Sequence, residues 1–218
     1  MALLHKKTGG TSPSGHFGCD RNKVPYDGKL PLLGGWEEDW SSYFTNLLKL
    51  SYSHALRVHS RTDLEEIMDA TYNKLIPSLI EPLNRKIQPC LIHGDLWESN
   101  IGTDKSSGEI YIFDAAAYWA HNEKELGIWF CSHHAMHARF EEYAEAYWDA
   151  YGCGKQGPDG EWRQRVQLYS TQTMFMRCGS VRDDECWEAI MMTLTALLDT
   201  YCLNWDDRET AGMNLQQH

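Results

Sequence analysis

The sequence predicts an α+β fold, mostly helical with one small β-hairpin, on three observations. Apolar residues recur at three- and four-residue spacing through 36–59 and through most of the chain beyond Asn122. Only short apolar runs have strand character, at 89–93, 100–102 and 109–114. Between the last two, residues 104–108 have the composition of a tight turn. With 42% hydrophobic residues, nine Trp and eleven Tyr, the chain has ample material for a packed core.

Taken in order, residues 2–7 read as the last part of a helix, with no N-cap ahead of Leu3 and Leu4, and 8–35 as an irregular, glycine- and proline-rich arm. Trp36, Trp40, Phe44, Leu47, Tyr52 and Leu56 mark one helix, with Glu37, Glu38 and Asp39 in the first turn, where the helix dipole favours acids. Thr62 and Asp63 are candidate caps of a second helix, which carries Ile67, Met68, Tyr72 and Leu75 on one face. Pro77 and Pro82 interrupt its end. After the hairpin, helices are expected near 123–137, 139–151, 162–178 and 184–203. Four glycines and a proline in 152–160 separate two of them.

A net charge of −11 repels polyanions, so nucleic acid is excluded as a partner. No run approaches the length of a membrane span, and the N-terminal apolar run is too short for a secretory signal. The seven cysteines are odd in number, scattered and without C-x-x-C pairs, which reads as reduced thiols in a cytoplasmic protein.

The chemistry concentrates in His93-Gly94-Asp95-Leu96-Trp97-Glu98-Ser99-Asn100, followed by Ile112-Phe113-Asp114. The pattern H-x-D-x-x-x-x-N, then an apolar strand ending in Asp, is what a phosphotransferase catalytic loop requires. Asp95 is the candidate base for a substrate hydroxyl. Asn100 and Asp114 are candidate ligands of Mg²⁺, a hard cation that takes oxygen donors. His93 is read as a scaffold group bonding the loop backbone, and Gly94 as the residue allowing a tight turn there. Trp97, two residues after the base, is the candidate wall of a substrate pocket. The competing reading, that Asp95 and Asn100 merely cap turns, suits an isolated H-x-D better than this complete set.

HGDLWESN resembles the H-G-D-L-W-x-x-N loop of the fructosamine-3-kinase family, also called ketosamine or protein-ribulosamine 3-kinases, which are related to aminoglycoside phosphotransferases. IFDAAAYWAHNEKELGI is similar to the family's strand-Asp-Pro-Ala segment and the helix start after it. TSPSGHFGCD and GWEEDWSSYF are similar to its S-P-x-G-x-F-G loop and tryptophan-rich helix. The resemblance implies ATP- and Mg²⁺-dependent phosphorylation of the 3-hydroxyl of ketoamine sugars, on protein lysines or in small ketosamines, as a protein-repair step. It implies a protein-kinase-like fold of which 36–204 is the C-terminal lobe, with 1–35 packed on it and 205–218 as a tail. It also places Glu125 behind the catalytic loop as a brace, although two acids at a helix start, Glu123 and Glu125, also suit the helix dipole.

Three departures stand out. Ala115 replaces the family's Pro after the metal Asp. Phe175-Met176-Arg177 stands where the family tends to carry Leu-Asn-His. No Gly-rich loop after a strand and no V-A-I-K-like lysine is found, so the ATP-covering lobe is absent. The alternative is therefore a truncated or pseudokinase lobe that acts as a binding module. Cys131, His133, His134 and His137 also form a candidate metal cluster, with His133 and His137 one turn apart on an expected helix. They lack the Glu of an H-E-x-x-H pattern and an obvious third ligand.

Overall fold

The computed structural model describes residues 1–27, 30–202 and 205. Helix α1 (Ala2–Thr8) leads into strands β1 (Phe17–Cys19), β2 (Tyr26–Asp27), β3 (Leu30–Pro31) and β4 (Gly35–Glu37). Then come α2 (Trp40–His59), α3 (Glu65–Ala70), a π-helical turn at Thr71–Leu75 and α4 (Ile76–Leu79). Strands β5 (Cys90–Ile92), β6 (Ile101–Thr103), β7 (Ile110–Ile112) and β8 (Tyr118–Ala120) follow. The remainder is helical: α5 (Glu123–Phe130), α6 (Phe140–Tyr151), α7 (Trp162–Ser180) and α8 (Asp184–Tyr201). The mixed, helix-rich character expected from the sequence is present.

The largest sheet is antiparallel throughout, in the order β4-β1-β8-β5. Trp119 pairs with Gly18 on one side and Leu91 on the other. Gly18 adopts φ +119°, and a Cβ there would meet the Gly35 carbonyl at 2.0 Å, so no larger residue fits this crossing. β6 and β7 form a separate hairpin in the register Ile101↔Ile112.

The expectation of an irregular arm over 8–35 is corrected here, since β1 sits inside the main sheet. Three-residue strands flanked by Gly and Pro carry too little alternation to reveal themselves. Trp36 is likewise not helical. It lies half-buried on β4, because 35–37 pair with 17–19 and hold the backbone extended to Glu37. The helix begins at Trp40, so Glu37 and Glu38 lie outside its first turn. Thr62 and Asp63 do not cap α3 through their side chains. Asp63 instead bonds Arg61 and accepts from Trp187 Nε1 at 3.2 Å. The π-helical turn absorbs the chain ahead of Pro77, whose missing N–H is tolerated in the first turn of α4.

The main core lies between α2, α7, α8 and the inner face of the sheet. Trp40, Phe44 and Tyr169 meet there, with the Tyr169 ring edge-on to both others at 5.9 and 4.9 Å. Trp40 Nε1 donates to the Tyr169 hydroxyl at 2.8 Å, so the buried indole is satisfied. A second apolar cluster joins Leu96, of the loop after β5, to Leu126, Trp129, Tyr147, Trp148 and Trp162. Of the seven cysteines, which form no disulfide, only Cys153 is exposed. No helix among the described residues is long and apolar enough to cross a membrane. Of the expected tail, Trp205 donates to Asp199 at 2.7 Å, and residues 206–218 lie outside the described residues.

Candidate active site

The loop carrying Asp95 leaves the main sheet at β5 and enters the hairpin at β6, so both β units frame it rather than the hairpin alone. Gly94 turns the chain at φ +80°. A Cβ there would lie 2.3 Å from the Ala116 carbonyl oxygen, so glycine is required twice over, by conformation and by space. A short 3₁₀ turn at 98–100 then brings Asn100 back to the loop start. Its Nδ2 donates to the Asp95 carbonyl at 2.8 Å and to Asp95 Oδ2 at 3.0 Å. With both amide hydrogens committed, and the backbone carbonyl accepting the Phe113 N–H at 3.1 Å, the Asn100 side-chain Oδ1 is the oxygen left to face a cation.

His93 joins the loop to the strand end. Its Nδ1 accepts the Asp95 N–H at 3.3 Å, and its Nε2 donates to the Phe113 carbonyl at 3.0 Å. The two partners select the Nε2–H tautomer. Beyond Phe113 the chain passes through Asp114 at φ +59°. Only Ser60, the C-cap of α2, shares positive φ among the described non-glycine residues. A left-handed Asp costs about 1 kcal/mol or more and persists where its neighbours enforce it.

Behind the loop stands Glu125, fully buried on α5. Its Oε2 accepts the His93 N–H at 2.6 Å and its Oε1 the Gly94 N–H at 3.1 Å. Burial raises the Glu125 carboxyl, but His5 and the His93 amide outweigh it and hold the group below its ordinary value. His5 Nε2 lies 3.4 Å from Glu125 Oε2, and His5 Nδ1 meets the Tyr147 hydroxyl at 2.8 Å. Asn122 completes the chain by donating to that hydroxyl at 3.0 Å. Neither His5 nor Tyr147 was among the residues expected at the site. Each is an isolated polar residue on an amphipathic helix, with no sequence signal to distinguish it. Glu123, two residues from Glu125, also turns inward, and Arg165 grips both its oxygens at 2.6 and 2.7 Å.

Asp95, Trp97, Asn100 and Asp114 line one open cavity of about 410 Å³. Its far side is built from His133, His134, Thr173, Arg177 and Ser180. Trp97 leans on the His134 ring, centroids 5.2 Å apart. Burial first, then His134 and Arg177, push His133 down to about 4. On the other side, Ile110, Tyr111, Ile112 and Phe113 of the hairpin are exposed.

Asn100 and Asp114 supply oxygen donors of the kind Mg²⁺ takes. The histidine cluster is a different matter. Its expected helix is replaced by a 3₁₀ turn at 135–139, and His137 Nδ1 turns away to the Phe130 carbonyl at 2.5 Å. Among the described residues no group of three His, Cys, Asp or Glu is placed to hold an ion.

The fructosamine kinase family model matches residues 1–198. A chloroplastic protein-ribulosamine 3-kinase of Arabidopsis thaliana is 33% identical over 156 residues, 69% of this chain and 41% of its own. A ketosamine-3-kinase of Mus musculus is 30% identical over 154 residues, 70% of this chain and 45% of its own. This chain thus spans less than half the length of these curated relatives. Among solved structures, a candidate fructosamine-3-kinase of Thermobifida fusca YX-ER1 matches with TM-score 0.63 at 21% identity, over 91% of this chain and 64% of that one. One from Haemophilus somnus 129PT matches with TM-score 0.61 at 16% identity, over 90% and 60%. These two likenesses speak to the fold. The family match, running through α1, the loop around Asp95 and most of the helices after it, makes this chain a member of the fructosamine kinase family.

Proposed function

We propose that this chain carries the acceptor and metal side of an ATP- and Mg²⁺-dependent ketosamine kinase, transferring phosphate to the sugar 3-hydroxyl of ketoamine adducts on protein lysines or in small ketosamines. The observation that carries this is the shared cavity of Asp95, Asn100, Asp114 and Trp97. In this reading residues 36–204 are a kinase-type C-terminal lobe, and the setting is protein repair in the cytoplasm. The names of the relatives support the substrate class.

Asp95 accepts the hydroxyl proton, and the Asn100 amide oriented across it fixes which carboxylate oxygen is engaged. The Asn100 side-chain Oδ1 and the Asp114 carboxylate are the proposed Mg²⁺ ligands. The ion, when bound, supplies neutralisation of phosphate charge. Trp97 offers an apolar face to the sugar. His93, Gly94 and Glu125 act through the backbone, holding the base and the metal Asp at a set separation.

The deciding experiment is calorimetric titration of Mg-ATP into the 218-residue chain. Binding that Asp114→Asn abolishes is the expected result. Absence of binding at millimolar nucleotide would overturn the nucleotide reading for this chain. The second reading, a binding module without transfer activity, would then stand; the exposed apolar residues at 110–113 favour it by offering surface to a partner. In a chain that does turn over, Asp95→Asn should abolish turnover with folding intact.

A further inference from the structure

Within the acceptor cavity one residue is not explained by the transfer chemistry. Arg177 lies on α7, and it is the one lysine or arginine among the described residues lining that space. Its side chain is 42% exposed, and Asp183 orients it. The Arg177 Nε donates to Asp183 Oδ2 at 2.6 Å. Asp183 is itself fixed, because its Oδ1 accepts the Cys186 N–H at 2.9 Å as the N-cap of α8. The Asp183 N–H in turn meets His59 Nε2 at 3.3 Å. Gripping Arg177 through Nε engages one edge of the fork, and the terminal N–H groups remain as donors.

The surroundings give that cation a purpose. The molecule carries a net charge of −11, and Asp95 and Asp114 line the same cavity. Asp95 and Asp114 repel an anionic ligand in this space, and Arg177, whose Nε edge is paired with Asp183, is the lysine or arginine among the described lining residues that can donate to one. His133 does not supply a competing positive charge near neutrality, since burial holds it down to about 4.

We propose that Arg177 selects acceptors carrying an anionic group, a carboxylate or a phosphate, on the ketosamine bound beside Asp95 and Trp97. This rests on the ketosamine reading above. The anion has two possible origins: the amine half, as in the adduct of a free amino acid, or the sugar half, as a terminal phosphate. An unmodified sugar on a lysine side chain offers neither beside the reacting hydroxyl.

The test is calorimetric titration, without nucleotide, of three ligands into the 218-residue chain. They are the ribulosamine of methylamine, that of glycine, and the 5-phosphorylated ribulosamine of methylamine. At least one anionic ligand should bind about tenfold tighter than the first, as expected of one charge-assisted bidentate contact. Preference for the glycine adduct places the anion on the amine side, and preference for the phosphate places it on the sugar side. Arg177→Gln should bring the three to parity. Arg177→Lys, which keeps the charge and loses the fork, should retain part of the preference. A melting curve for each variant checks folding. Equal binding of all three to the unmodified chain, or a preference that survives Arg177→Gln, would overturn the inference and leave the acceptor reading standing. Binding of none of the three would overturn that reading, and the inference with it.

Discussion

The ring of His93 ties the two halves of the candidate site together: its Nε2 donates to the carbonyl of Phe113, one residue before the left-handed Asp114, at 3.0 Å. The same ring accepts the Asp95 N–H, so one side chain sets both the proposed base and the proposed metal carboxylate. His93→Ala leaves two backbone groups without this partner and frees Asp114 to relax. The expected outcome is a loss of about 1–3 kcal/mol in urea unfolding and a drop in Mg-ATP affinity of about tenfold or more, read by calorimetry. Unchanged affinity would mean that Asp114 is set by other contacts.

Gly94 admits no side chain. Alanine there combines φ +80° with a Cβ at 2.3 Å from the Ala116 carbonyl. Gly94→Ala should cost roughly 1–3 kcal/mol through backbone strain and displace the loop, seen as shifted backbone amide resonances from His93 to Asn100. Wild-type stability and spectra would show that the loop tolerates a wider turn.

The buried Glu125 makes stability depend on pH in a definite direction. Its carboxyl is held below its ordinary value in the folded chain, by His5 and the His93 amide against the effect of burial. In the unfolded chain the same group titrates at about 4.3. As pH falls below that value the unfolded state takes up a proton that the native state refuses. The Glu125 contribution is therefore complete above the ordinary glutamate range and is lost as pH falls through the folded value. Urea midpoints measured from neutral to acid pH should fall more steeply for the unmodified chain than for Glu125→Gln. Parallel curves would refute the assignment.

His133 supplies a spectroscopic check on the cavity. Its Hε1 resonance should titrate near 4, well below the free-histidine value of about 6.5. Burial is the first cause, followed by His134 and Arg177, so Arg177→Gln should move the midpoint upward without restoring the free value. An unmoved midpoint would place Arg177 farther from His133 than the structure has it.

The parts of this molecule that could be read in the sequence are those whose chemistry is contiguous. Asp95, Asn100 and Asp114 fall within a short span that directly follows Gly94, and the structure lines one cavity with all three. The long helices declare themselves because one face of each is repeatedly apolar. What stayed hidden is non-local. β1 is three residues long and takes its place in the sheet by pairing with β4 and with β8, the latter a hundred positions later. Asp63 looked like a helix cap and is engaged by Arg61 and Trp187. His137 looked like a ligand and is turned onto a carbonyl. Short polar residues have several local options, and tertiary partners decide among them.

The central place of β1 in the sheet sets an order of assembly. Helix α2 can form from local contacts, and so can the β6–β7 hairpin. The strand that carries the chain into the His93 loop, however, pairs with β8, and β8 needs Gly18 to complete its other edge. Closing that contact spans most of the distance from the first helix to the middle of the chain, and such contacts form late and slowly. The loop around Asp95 should therefore gain hydrogen-exchange protection later in refolding than the β6–β7 hairpin, and the proposed base should reach its working position only once both distant segments have met.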